Sequence, residues 1–141
     1  EKRLAEEQAK KEAEEKAKKE AEEKAKAEAE EKAKKEAEEA AKKAAETVSQ
    51  KNAIRAAENY LNFTAFSKSG LIDQLEYEGY SNADATYAVN NIEVDWNEQA
   101  VKAAQNYLNF TAFSRSGLID QLKYEGYTTE QATYAVNQVG L

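Results

Sequence analysis

The segment YLNFTAFSKSGLIDQLEYEGYSNADATYAVN at residues 60–90 returns at residues 107–137 as YLNFTAFSRSGLIDQLKYEGYTTEQATYAVN. Extended to its limits, the duplication aligns residues 53–92 on 100–139 without a gap, at an offset of 47, and 29 of the 40 positions are identical. Each copy is therefore one supersecondary unit, and what one copy forms decides the fold.

Three helices can be placed in each copy. The first spans about 53–62, with Ile54, Ala57 and Leu61 on one face, matched by Val101, Ala104 and Leu108. The second begins after Ser67, a good helix cap, with Phe66 just before it and Leu71 four positions in as a hydrophobic staple. Leu71, Ile72 and Leu75 form its inward side. Gly79 ends it, because this kind of helix stop needs a left-handed residue, and Tyr80 is placed to fold back on Leu75. Ser81 caps the third helix, which turns Ala85, Ala88, Val89 and Ile92 to one side; in the second copy Thr128 and Gln131 make a capping box. Asp95 and Glu98 read as another box, opening the next helix with Trp96 at its first position. Trp96 is expected to cover an open edge of a repeat core. This is the layout of a helix-turn-helix unit. So short a unit buries little on its own, so the two copies are expected to support each other.

Upstream of the duplication the composition changes abruptly. Residues 1–46 carry 14 Lys or Arg and 16 Glu, with Ala as nearly the only apolar type. An eight-residue unit recurs there as QAKKEAEE from Gln8, KAKKEAEE from Lys16, KAKAEAEE from Lys24 and KAKKEAEE from Lys32. Its residues are strong helix formers, and Glu precedes Lys by four positions at 12/16, 14/18, 15/19, 20/24, 22/26, 28/32 and 30/34. Ala recurs every 4 residues from Ala9 to Ala37, so its stripe drifts around the helix and offers no coiled-coil seam. The segment reads as a solitary, solvated stalk of roughly 70 Å at about 1.5 Å per residue. The expected fold is thus all-α: a charged stalk at 1–46, a helix-turn-helix-like repeat at 47–92, a connector at 93–99 and a second repeat at 100–141.

The same composition narrows the chemistry. The 141 residues include no Cys, His, Met or Pro. No disulfide, thiol nucleophile or Cys-ligated zinc is available, and the commonest general base and metal ligand is missing. With no Met anywhere, a chain opening at Glu1 is expected to derive from a longer precursor. The formal net charge is -7, and residues 47–141 hold 6 basic against 11 acidic residues. That balance opposes nucleic acid and favours basic partners. The third helices, SNADATYAVNNI and TTEQATYAVNQV, contain no basic residue for phosphate or guanine.

Asp73, Glu76 and Glu78 lie close in sequence but spread around a solvated helix, with no base or metal site converging on them. The chain is therefore not expected to be an enzyme or to hold a cofactor or small-molecule substrate. Partner binding suits these residues better. With Leu71, Ile72 and Leu75 inward, Asp73, Glu76 and Tyr77 project outward, as do Asp120 and Tyr124 in the second copy. Tyr87 and Tyr134 flank the core stripe of the third helix. Aromatic anchors among carboxylates suit a basic, partly apolar protein segment.

The motif YLNFTAFSRSGLIDQLKYEGYTTEQATYAVN and the connector VDWNEQAVKAAQNYL resemble the repeats of the Ltp-type host-cell-surface-exposed lipoproteins, over residues 53–139. The resemblance implies a prophage-borne lipoprotein on the outer face of a Gram-positive cell, acting in superinfection exclusion. It implies a block on DNA injection by engagement of the incoming phage's tape-measure protein. It also implies that the membrane is reached only through a lipid-bearing Cys absent from this chain, the stalk serving as a spacer in the cell wall. The reading of a second class is a module binding peptidoglycan or an associated wall polymer, with no role in exclusion.

Overall fold

A computed structural model describes residues 1–141 as seven α-helices without strands. Two compact units are formed, residues 1–46 and 47–141. The first is α1 (Lys2–Ala45), 44 residues with none buried. Glu31 and Lys35 approach to 3.7 Å, while none of the seven Glu/Lys pairs expected from the spacing closes to that range. Exposed ion pairs gain little in water and cost side-chain entropy. The helix rests instead on the propensities of Ala, Glu and Lys summed over its length.

In the second unit, α2 (Val48–Phe63), α3 (Lys68–Tyr77) and α4 (Asn82–Asn90) form repeat 1, and α5 (Trp96–Phe110), α6 (Arg115–Tyr124) and α7 (Thr129–Gln138) form repeat 2. Helix α2 starts five residues before the expected 53, at a capping box. Gln50 N–H donates to Thr47 Oγ1 (3.0 Å), and Thr47 N–H donates to the Gln50 side-chain oxygen (2.9 Å). Thr128 and Gln131 repeat that box at the head of α7. Helix α5 opens at Trp96 as the Asp95 cap predicts, so residues 96–99 of the stretch assigned to the connector are its first turn. Asp95 alone caps that turn: its Oδ1 accepts from Asn97 N–H at 2.9 Å and Glu98 N–H at 3.3 Å, and Glu98 makes no return bond.

Ser67 and Ser81 cap α3 and α4 as their positions predict, each accepting from the N–H three residues on. Helix α3 stops at Gly79, whose φ of 109° is open to a residue without Cβ. Gly79 N–H reaches Glu76 C=O at 2.9 Å and Tyr80 N–H reaches Leu75 C=O at 3.1 Å, the paired bonds that seal a glycine-terminated helix. Gly126 and Tyr127 do the same for α6.

Each repeat has its own core. In repeat 1 it comprises Ala53, Ala57, Leu71, Leu75, Ala85, Ala88 and Val89, with Ile54, Leu61, Ile72, Ile92 and Trp96 packed at its margin. Repeat 2 buries Ala100, Ala103, Ala104, Leu118, Leu122, Tyr127, Ala132, Ala135 and Val136. So many alanines let the helices approach closely, and a few Leu and Val side chains fill what remains.

Helices pack broadly only within a repeat. The repeats are joined by turns. Phe66 N–H donates to the Gln99 side-chain oxygen (3.2 Å), Ser67 Oγ–H to Glu125 C=O (2.7 Å) and Ser69 Oγ–H to Gly126 C=O (3.2 Å). Within repeat 2, Tyr127 OH donates to Gln99 C=O at 3.2 Å, on the same residue that receives Phe66 N–H. Ala65 packs on the core of repeat 2, and Trp96 on that of repeat 1. Ser67 and Gln99 are the buried polar residues of the chain, and both serve this joint.

Candidate partner-binding surface

Burial of Leu71 and Leu75 fixes the rotation of α3, and Leu118 and Leu122 fix that of α6. Side chains two positions from these stripes must then point to water. Tyr77 and Tyr124, the last residues of the two helices, are 87% and 88% exposed. Asp73, Glu76 and Asp120 are exposed beside them. Glu76 accepts a 2.7 Å hydrogen bond from the Asn82 side chain, which ties it to the start of α4. Tyr87 is half-buried on α4, whereas its counterpart Tyr134 on α7 is exposed.

Two aromatic residues to which sequence reasoning assigned no role are just as exposed. Phe63 and Phe110 close α2 and α5 and are 88% and 90% exposed. The signal lay in the stripe itself: two residues beyond Leu61, a side chain turns about 200° away from the Ile54, Ala57, Leu61 face. Each repeat thus presents the same exposed Phe and Tyr.

The charge around these aromatics differs between the copies. Residues 53–91 hold two basic and five acidic side chains, whereas 100–138 hold three of each. Lys123 occupies the place of Glu76, and Gln131 that of Asp84. Glu93, Asp95 and Glu98 add to the acidic side in the connecting stretch.

Beneath this surface each repeat has a tyrosine bridging two helices. In repeat 2, Tyr107 OH donates to the Glu125 carboxylate and accepts from Gln121 Nε2 at 3.2 Å. Burial, and then the Glu125 carboxylate, push its pKa up to about 12. In repeat 1 the Glu78 carboxylate, and then burial, raise Tyr60 above its ordinary value. Tyr127 is also raised, chiefly by burial. Each bridging ring meets a phenylalanine edge-on, Tyr60 with Phe66 and Tyr107 with Phe113, at 5.6 Å in both copies. These groups tie α2 to α3 and α5 to α6. No group of three or more His, Cys, Asp or Glu is placed to hold a metal ion. No helix is long and apolar enough to cross a membrane. What the surface offers is exposed aromatic area and negative charge.

The family model described as host cell surface-exposed lipoprotein matches twice, over residues 49–92 and 95–139. Among solved structures, that of Ltp, a superinfection exclusion protein from the Streptococcus thermophilus temperate phage TP-J34, is similar at 32% identity and a TM-score of 0.62. The alignment covers 68% of this chain and 98% of that one. No curated protein matches the chain.

Proposed function

The chain belongs to the Ltp-type host cell surface-exposed lipoproteins, and from that membership we propose that it excludes superinfecting phage at the cell surface by binding, not by catalysis. The observation that carries this reading is the likeness to the TP-J34 exclusion protein over 98% of that protein's chain, at 32% identity. The point of action is DNA injection, and the target is the tape-measure protein of the incoming phage. A basic, amphipathic segment of that protein meets Tyr77 and Tyr124 as aromatic anchors, with Tyr87 and Tyr134 beside them. Asp73, Glu76 and Asp120 supply the complementary charge. The stalk acts as the spacer that carries the repeats away from the membrane; at about 1.5 Å per residue, the 44 residues of α1 span roughly 66 Å.

Infection of cells carrying the anchored protein, with adsorption and DNA entry followed separately, tests this reading. Phage adsorb normally and their DNA stays outside if it is right. Normal DNA entry rejects the exclusion role. Exclusion without any affinity for tape-measure segments would keep the role and reject the target.

A further inference from the structure

The joint between the repeats has two unlike halves. Repeat 1 contributes the turn into α3: Ala65, Phe66 N–H, Ser67 Oγ and Ser69 Oγ. Repeat 2 contributes the turn after α6, through Glu125 C=O and Gly126 C=O, together with Gln99 and Tyr127. A contact between different patches of two like units is heterologous, and it leaves one unused copy of each patch at opposite ends. Here the unused copies are nearly identical in sequence to the used ones. TAFSRSG at 111–117 stands open at repeat 2 where TAFSKSG at 64–70 is engaged at repeat 1. YEGY at 77–80 stands open at repeat 1 where the identical YEGY at 124–127 is engaged at repeat 2.

Burial separates the two sets. Ser67 is 3% exposed and Tyr127 3%, while their counterparts Ser114 and Tyr80 are exposed and half-buried; Ser69 and Ser116 are exposed in both copies. The glycines give the sharpest contrast. A Cβ on Gly126 would stand 2.1 Å from Ser69 Oγ, but one on Gly79 would meet nothing within 4 Å. The carbonyl-bearing turn at Gly79 is therefore an uncovered replica of one that already receives two serines.

We infer that the open α6 start of one molecule docks on the open Gly79 turn of a second copy of this chain, head to tail. Ser114 and Ser116 donate to Glu78 C=O and Gly79 C=O as Ser67 and Ser69 do within the chain. Two departures make the contact weaker than its internal model. Asn52 stands in place of Gln99 and is one methylene shorter, and Ser49 stands in place of Trp96. The association therefore belongs to the high local concentrations of a crowded surface, where weak contacts are multiplied.

Amide NMR spectra of the full chain, recorded from micromolar to millimolar concentration, test the inference. Signals of residues 114–117 and 78–80 move together with concentration, while those of the engaged counterparts 67–70 and 125–127 stay still. Ser116→Glu abolishes the movement and leaves the monomer folded, since an acid in the first turn of a helix is favourable. Asn52→Gln restores reach to the Phe113 N–H and tightens association about three- to tenfold. Absence of concentration-dependent shifts in both patches overturns the inference, as do shifts that Ser116→Glu leaves unchanged.

Discussion

Ser67 and Ser114 occupy equivalent positions, and both cap a helix by accepting from a glycine N–H, but Ser67 also donates to Glu125 C=O across the joint. Losing a cap costs about 1 kcal/mol, and losing a buried hydrogen bond about 1 kcal/mol more. Ser67→Ala is therefore expected to destabilise the protein by about 2 kcal/mol and Ser114→Ala by about 1, measured by urea unfolding. Equal losses would mean that the bond from Ser67 to Glu125 contributes nothing. Tyr107 sets a second expectation. Its folded pKa of about 12 lies above the ordinary 10.0, so the folded state holds its proton more tightly. The corresponding stability is complete below pH 10 and is lost as pH rises toward 12. Tyr60 and Tyr127, raised as well, add to the same alkaline loss. Tyr107→Phe should flatten the fall in stability across that window without removing it, and an unchanged slope would place the effect elsewhere.

At the scale of elements, α1 and the repeat helices owe their form to different causes. Helix α1 buries nothing, so local propensity is its whole support. Its helicity by circular dichroism should barely change in high salt, because none of its seven expected Glu/Lys pairs closes. Ala25→Pro should break it, at a cost of about 3 kcal/mol, while leaving the repeats folded. The repeat helices depend on their stripes and caps, and these were legible. Ser67, Gly79, Ser81 and Thr128 mark boundaries that the structure respects. The start of α2 was missed although Thr47 and Gln50 carry the same signature as Thr128 and Gln131. Thr47 lies outside the aligned duplication, so the repeat pattern does not reach this cap.

For the whole molecule, the joint was the illegible part. Nothing in two identical Ser-x-Ser-Gly motifs says which will be buried; the asymmetry exists only because repeat 1 has a neighbour on that side and repeat 2 does not. The outward-facing residues were easier to read, since a helix stripe that faces inward dictates what faces water. Tyr77→Ala with Tyr124→Ala should abolish tape-measure binding and exclusion while shifting unfolding by less than about 0.5 kcal/mol, because both rings are almost fully exposed. Retained exclusion would move the contact to another face, with Phe63 and Phe110 the next to change. Binding should also weaken with added salt, and Glu76→Lys, which gives repeat 1 the charge found at Lys123, should weaken it further. A salt-independent affinity would leave the aromatics as the sole contributors.

The packing of helices only within their own repeat has a consequence for how the chain acquires its structure. Contacts close in sequence form quickly, because little loop entropy is lost in making them. A chain emerging with its N-terminus first can complete repeat 1 while the residues of repeat 2 are still unfolded. The joint closes only after repeat 1 is complete, since its acceptors at Glu125 and Gly126 exist only once α6 has ended. Assembly thus runs in the same direction as emergence, with no segment waiting for a distant partner except the turn into α3.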